Sequence, residues 1–337
     1  MKNILVIRRD NIGDMVCTTP LLQGIKTAFP DVKLTLLVNN VAKDVVINNP
    51  HVDALHVYKK SKHRLRHESA MSVYWQRLKI FITLRRTHFD AVVLANPMPC
   101  RYSLRLARLA GAKNIIGVET LARDDVKNAL ISRGDHQVEH TFSYLSALTS
   151  VHLPVPDVQV YLTENEKALA TQRVSAFFPD SSCLYGIHIS SRSPKRRWPI
   201  ESYARFISKL LLRKEAQVLL FWSPQGTLGP DDPGDDARVT ALLSQFSADR
   251  VAAYPTASIR ELMAGFHCCK QIMCSDGGQM HIAAALHKKQ VVFFGDTNAT
   301  HWHPWSGEYE ILQTASGECM DISVDQAWLA WQRLKSR

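Results

Sequence analysis

Residues 3–38 read NILVIRRDNIGDMVCTTPLLQGIKTAFPDVKLTLLV, and the order of chemistry along them decides the fold. After one asparagine, residues 4–7 are a continuous apolar run, the pattern of a strand covered on both faces rather than one with a wet side. A polar turn follows, carrying Arg8, Arg9, Asp10, Asn11, Gly13 and Asp14. Thr18 or Thr19 then stands where a helix cap belongs, with Pro20 at the first helical position and Leu21, Leu22, Ile25 and Phe29 at helical spacing. Residues 33–38 return to a strand pattern. Strand, polar turn, amphipathic helix, strand is the repeating unit of a parallel sheet.

The same unit recurs outward from this stretch. Strands are expected at residues 54–58, 91–94 and 114–117, with helices at 41–47, 71–87 and 102–109. Residues 151–157, VHLPVPD, break the pattern with two prolines and read as an interdomain linker. Beyond it, helices are expected at 164–177, 200–213, 279–286 and 325–334, and strands at 184–188, 217–221, 271–274 and 290–294. Ser258 followed by Glu261 has the form of a capping box opening a helix to Phe266. The fold expected is α/β: two Rossmann-like, doubly wound domains facing a central cleft. Residues 1–155 form the first, 156–320 the second, and 321–337 a terminal helix that packs back across the domains.

Composition narrows the class. The chain has 337 residues, 46% hydrophobic and 21% charged, a folded balance and enough for two domains of about 150 residues each. No apolar run approaches the roughly 18–20 residues that span a bilayer, and Met1-Lys2-Asn3 leads straight into the first strand, so a cytoplasmic protein is expected. Seven cysteines without paired metal-ligand spacing read as reduced thiols, and no metal site is expected. The net charge of +10 favours an anionic partner, whether nucleic acid, a phosphorylated sugar or an acidic membrane.

Three loops carry chemistry. In the first, Gly13 permits close backbone approach and sets Asp14 at the mouth of a helix, where a carboxylate could take a proton from an acceptor hydroxyl; the plain alternative is that Asp14 caps the helix. No GxGxxG follows the first strand, against a dinucleotide oxidoreductase. The second loop is Ser275-Asp276-Gly277-Gly278-Gln279-Met280-His281, where two glycines at a helix start offer N–H groups and a favourable dipole to a diphosphate. The third, Ser190-Ser191-Arg192-Ser193-Pro194-Lys195-Arg196-Arg197-Trp198-Pro199, sets four cations and three hydroxyls after a strand, suited to phosphate or to a solvated basic turn anchored by Trp198.

ILVIRRDNIGDMVCTTPLLQGIKTAFPDVKLTLLV, HISSRSPKRRWPIESYARF and SDGGQMHIAAALHKKQVVFFGDTN together, in this order, resemble signature regions of the ADP-heptose:lipopolysaccharide heptosyltransferase family. The resemblance implies the GT-B fold and a metal-independent, inverting transfer of heptose from ADP-heptose, or a related nucleotide sugar, to an anionic lipopolysaccharide inner-core acceptor. No cofactor is implied beyond the ADP-sugar donor. Carried over by position, Asp14 is the catalytic base. Asp276, Gly277, Gly278, Met280 and His281 hold the nucleotide diphosphate, Ser190 and Ser191 contact phosphate, and Lys195 or Arg196 neutralises the leaving group. Asp235 or Asp236 is placed to reach the ribose. Asn11 and Gly13 lie on the acceptor side with Lys62, Arg64 and Arg66. This chain departs from the family where Gly277 replaces the usual Ser or Thr, and where Gly-Asp296-Thr-Asn replaces Gly-Pro-Thr-Asp.

Residues 59–89 hold nine Lys or Arg against one acid, Glu68. They read as a solvated helix face, as an acceptor site with peripheral contact to the anionic inner-membrane leaflet, or as a nucleic-acid surface. No nucleic-acid signature supports the last. Another nucleotide-sugar transfer, or a sugar-nucleotide epimerase, keeps the same fold and stays open.

Overall fold

A computed structural model describes the chain except for residues 59–69, 97, 99, 113, 118–125, 129–133, 180–182, 227–233 and 336–337. The chain forms two compact units, Met1–Tyr161 and Leu162–Arg337.

In the N-terminal unit, β1 (Asn3–Arg8), β2 (Lys33–Asn39), β3 (Ala54–Tyr58), β4 (Ala91–Leu94), β5 (Ile115–Gly117) and β6 (Val126–Asn128) pair in parallel in the order β3-β2-β1-β4-β5-β6. The helices are α1 (Ile12–Val16), α2 (Thr19–Ala28), α3 (Lys43–Val46), α4 (Ala70–Thr87), α5 (Arg101–Leu109) and α6 (Gln137–Phe142). The apolar run of β1 is wholly buried, as a strand between two parallel neighbours must be.

In the C-terminal unit, α7 (Glu164–Phe177), β7 (Cys183–His188), α8 (Ile200–Leu211), β8 (Ala216–Trp222), α9 (Asp236–Leu243), β9 (Val251–Pro255), α10 (Ile259–Cys268), β10 (Gln271–Ser275), α11 (Gly278–Ala285), β11 (Lys289–Phe294), α12 (Ala299–Trp302), β12 (Tyr309–Gln313) and α13 (Val324–Lys335) follow in turn. Its parallel sheet runs β12-β11-β10-β7-β8-β9. Counted from its own first strand, this is the same doubly wound order as in the first unit. The order reverses beside β1 and β4 in one sheet and beside β7 and β10 in the other. Loops at the carboxyl ends of those strands are where ligands bind in such sheets.

Four expectations change. The first unit ends at Tyr161 rather than 155: Val158 and Val160 are buried and the Gln159 N–H donates to Thr19 Oγ1 at 3.0 Å, so the strap past the prolines belongs to that unit. The terminal helix α13 packs on β11, β12 and α8 of its own unit, burying Trp331 against Phe206 and Tyr185, and is no separate segment. Thr18 caps nothing with its hydroxyl, which donates to the Asp14 carbonyl at 2.7 Å; the turn before α2 is itself the short helix α1. Ser258 Oγ accepts from Glu261 N at 3.2 Å, but the Glu261 carboxylate reaches Ala257 N, so the capping box is displaced by one residue.

Among the described residues no helix is long and apolar enough to cross a membrane, and no disulfide links the seven cysteines.

Candidate functional site

The site of the N-terminal unit begins with Arg8, the last residue of β1, which has no solvent exposure. A buried guanidinium requires paired charge and satisfied donors. Its Nη2 donates to Asp14 Oδ1 at 2.7 Å, its Nη1 donates to the Ala95 carbonyl at the end of β4, and its Nε lies 3.3 Å from Asp10 Oδ2. Asp10 Oδ2 also accepts from Asn96 Nδ2 at 2.7 Å, and the Tyr144 hydroxyl donates to the Asn96 carbonyl at 2.8 Å. Burial pushes the Tyr144 phenol up to about 12, against the pull of Arg8, which keeps it a donor. One cation thus ties together two carboxylates and both loops that flank the switch point of this sheet.

Asp14 is the third residue of α1, whose cap is Asn11, and its Oδ2 accepts from the Asn11 N–H at 3.1 Å. The capping geometry is therefore realised. It uses one lone pair on each carboxylate oxygen, which leaves others for a proton. Asp14 keeps 9% exposure. The thiol of Cys17, one helical turn on, is pushed up by burial first and by the Asp14 charge second. Gly13 is half-buried and lies within α1 without the left-handed backbone that its type allows. Lys62, Arg64 and Arg66 lie outside the described residues.

In the C-terminal unit, the loops after β7 and β10 meet. Trp198 is fully buried, donates from Nε1 to the Ile322 carbonyl at 2.8 Å and packs its ring on Tyr203 and Phe293. That anchor holds the basic loop while leaving its cations at the surface. Arg196 Nη1 lies 3.1 Å from Asp276 Oδ2, and the Arg196 carbonyl accepts from Ser275 Oγ at 2.6 Å. The Arg196–Asp276 approach pairs the charges without aligning as a hydrogen bond, so the buried Asp276 Oδ2 has no hydrogen-bond donor among the described residues. Lys195 Nζ is 3.4 Å from Asp296 Oδ2 and 3.9 Å from Glu318 Oε1. Gly295 is what lets these loops close: a Cβ there would lie 3.0 Å from Arg196 Cγ and 3.0 Å from the Lys195 carbonyl.

Gly277 caps α11 with no side chain to offer, at φ +156° and ψ −170°, a region open essentially to glycine alone. Gly278 opens the helix, and both glycines are part exposed. Met280 and His281 are core residues: Met280 is fully buried with its N–H turned back to the Gly277 carbonyl, and His281 meets the Trp302 ring edge-on at 6.0 Å. Their side chains serve the loop from behind.

Ser190 is nearly buried, its Oγ accepting from Ser223 N at 3.0 Å, while half-buried Ser191 gives its carbonyl to Arg197 Nε at 2.9 Å. The two candidate ribose carboxylates both hold protein groups. Asp235 is buried and pairs with Arg238 Nη1 at 2.7 Å; Asp236 accepts from Trp222 Nε1 at 2.8 Å and Gln225 N at 2.7 Å, and these bonds hold its carboxyl below the usual range. Beside them His188, at the end of β7, is a neutral imidazole: burial lowers it to about 4, opposed by Asp235. No local pattern in the sequence marks Arg8, Asn96, His188 or Glu318. Among the described residues no three His, Cys, Asp or Glu side chains are grouped to hold a metal ion.

Residues 77–327 match the family described as Glycosyltransferase family 9 (heptosyltransferase). The chain is 22% identical over 331 residues to lipooligosaccharide heptosyltransferase 2 of Haemophilus influenzae, covering 95% of this chain and 91% of that one. It is 24% identical over 317 residues to lipopolysaccharide heptosyltransferase 3 of Escherichia coli, covering 92% and 88%. Among solved structures it shares its fold with a family 9 glycosyl transferase from Veillonella parvula, at a TM-score of 0.83, 21% identity and coverage of 99% and 97%. It shares it also with E. coli heptosyltransferase WaaC bound to ADP, at a TM-score of 0.77, 19% identity and coverage of 98% and 99%.

Proposed function

This chain belongs to glycosyltransferase family 9, the heptosyltransferases, and from that premise we propose that it transfers heptose from ADP-heptose, with inversion, to a hydroxyl of a lipopolysaccharide inner-core acceptor. The observation that carries the donor reading is the pairing of Arg196 with Asp276 at the start of α11, with Lys195 beside it. A helix N-terminus without a side-chain cap and two adjacent cations suit a nucleoside diphosphate. The buried Asp276 Oδ2 still lacking a donor suits a sugar hydroxyl.

In this reading the acceptor oxygen forms its bond to the anomeric carbon as the bond from that carbon to the β-phosphate oxygen breaks. The hydroxyl proton passes to Asp14, and the electron pair leaves with ADP. Arg8 pairs with the Asp14 carboxylate and aims it. Lys195 and Arg196 exchange their carboxylate partners for the diphosphate and stabilise the charge that builds on it, the part a metal ion plays elsewhere. Asn11, Gly13 and the basic residues Lys62, Arg64 and Arg66 form the acceptor side, with peripheral contact to the anionic cytoplasmic face of the inner membrane.

One observation favours a second donor reading. Gly277 removes a hydroxyl from the phosphate loop and a carboxylate has moved to Asp296, beside Lys195, which suits a sugar other than heptose. A thermal-shift panel of ADP, GDP, UDP and CDP, followed by transfer from ADP-heptose to a Kdo-containing acceptor, tests both. A ligand bound only by the folded state adds about 2.7 kcal/mol at a hundred times its dissociation constant. Preference for another base overturns the ADP reading; ADP binding without heptose transfer overturns the sugar alone.

A further inference from the structure

The helix α4 is apolar on two sides: one is buried in the core of its unit, and the other is exposed among the described residues. Leu84 is fully buried, and Ile80 and Phe81 lie against the core built on Leu5, Ile7, Phe89 and Val92. On the opposite side Met71, Trp75, Leu78 and Ile82 recur at intervals of four, three and four, which sets them in one stripe along the helix. Their exposures are 65%, 55%, 37% and 43%, and Leu109 of the neighbouring α5 extends the stripe at 48%. Contiguous exposed apolar surface of this kind marks an interaction site, whereas scattered single residues do not.

Charge identifies the occupant. No Asp or Glu occurs between residues 70 and 87. Exposed Lys79, Arg85 and Arg86 flank the stripe, with Arg108 beside Leu109 and Ile82. Arg77 is turned the other way, its guanidinium 4.6 Å from the centre of the Tyr58 ring. The preceding residues 59–69, KKSKHRLRHES, contain five Lys or Arg, one acid and a single large apolar residue, Leu65. Their composition cannot supply an apolar cover, and it adds charge of the same sign. A second copy of the chain is a poor partner, because two such faces would oppose cation to cation with no acid between them. An apolar stripe that includes a tryptophan and has cations along its edges matches a bilayer interface bearing anionic headgroups.

We propose that the outer face of α4 docks the protein on an anionic membrane surface, with Met71, Trp75, Leu78 and Ile82 entering the headgroup–acyl boundary and Lys79, Arg85, Arg86 and Arg108 binding headgroups. The proposal deepens the functional reading above, which places a lipid-linked acceptor beside this unit, by naming the surface of contact.

The test uses the full chain and sedimented vesicles of pure phosphatidylcholine or of equimolar phosphatidylcholine and phosphatidylglycerol. The wild type should bind the anionic vesicles, and a Met71→Ser, Trp75→Ser, Ile82→Ser protein should bind at least about tenfold more weakly. Arg85→Gln with Arg86→Gln should lose affinity at low salt and differ little from wild type at high salt. Brominated lipid should quench the wild type more than Trp75→Phe. Far-UV circular dichroism and the urea midpoint confirm that each variant is folded, and an ADP thermal shift reads the other unit independently; its absence in the wild type would refute the nucleotide reading and leave the vesicle result standing. Unchanged vesicle binding by the serine variant would overturn the docking face. So would a wild-type dimer that the serine substitutions dissociate, which would assign the stripe to a second copy.

Discussion

Nη2 of Arg8 donates to Asp14 Oδ1 at 2.7 Å from a position with no solvent exposure. The same guanidinium faces Asp10 and reaches the Ala95 carbonyl. Arg8→Met would leave two carboxylates in one pocket without their cation, a loss of about 3–5 kcal/mol for a broken buried pair. Arg8→Lys keeps the charge but cannot span three acceptors with a fork it lacks. The methionine variant is expected to unfold at markedly lower urea. The lysine variant should fold, keep ADP affinity and lose about tenfold or more in kcat, as misplacement of a base does. Equal urea midpoints for Arg8→Met and wild type would contradict this.

Asp14→Asn is nearly isosteric, can still accept from Arg8, and removes the basicity. Turnover should fall by about 10²–10⁴ while ADP affinity holds. The control is Asp10→Asn, which keeps Asp14 intact. Steady-state kinetics on the two variants decide between them: an inactive Asp10→Asn beside an active Asp14→Asn would move the base to Asp10.

Gly277→Thr returns a residue type more usual for the family to a backbone that cannot take it. At φ +156° the strain is about 1–3 kcal/mol, and the new Cβ would lie 2.7 Å from Gln279 Oε1. The threonine protein should melt at a lower temperature and bind ADP more weakly than wild type. Tighter ADP binding, measured by calorimetry, would show that the hydroxyl outweighs the strain.

Lys195 and Arg196 are predicted to replace a metal at the leaving diphosphate, so turnover should survive EDTA. Arg196→Gln strands the buried Asp276, whereas Lys195→Gln releases two partly exposed carboxylates. The arginine change is therefore expected to cost more in ADP affinity. Activity lost to chelator and restored by magnesium would refute the metal-free mechanism.

Acid should loosen the C-terminal unit at one identifiable place. Arg260 on α10 grips Glu166 on α7, with Nε donating to Oε1 at 2.7 Å. These bonds, assisted by Thr163 and opposed by desolvation, hold the Glu166 carboxyl down to about 2, below its ordinary 4.5. A depressed carboxyl contributes stability that is present above the ordinary value and lost as pH falls from about 4.5 to about 2. The contribution is at most about 3 kcal/mol, reduced by screening at a partly exposed pair. Glu166→Gln should be less stable than wild type at neutral pH, and the difference should vanish near the lower limit in urea melts run across pH.

The sheets were legible because buried parallel strands are written as apolar runs, as in residues 4–7 and 291–294. What escaped was written more faintly. The strand Tyr309–Gln313 lies at a sheet edge and is half-exposed, so YEILQ alternates weakly. The five-residue α1 rests on the Asn11–Asp14 cap, a signature present in the sequence but lacking the apolar periodicity of a longer helix. The loops were found where they lie, because glycines and cations after a strand have a local meaning. Their partners were not, because Arg196 and Asp276 are brought together only by the adjacency of β7 and β10. Likewise Arg8 looked like one more cation in a basic chain until the fold removed it from water.

The strap of residues 158–161 has a consequence for taking the chain apart. Val158 and Val160 fill the first unit's interior, Gln159 is tied to Thr19, and the Tyr161 carbonyl accepts from Asn48 Nδ2 at 3.4 Å. A fragment cut at the proline-rich stretch would leave behind two buried valines and both of these hydrogen bonds. The compact unit runs six residues further, so a cut that respects it falls after Tyr161, before Thr163 begins to cap the first helix of the next.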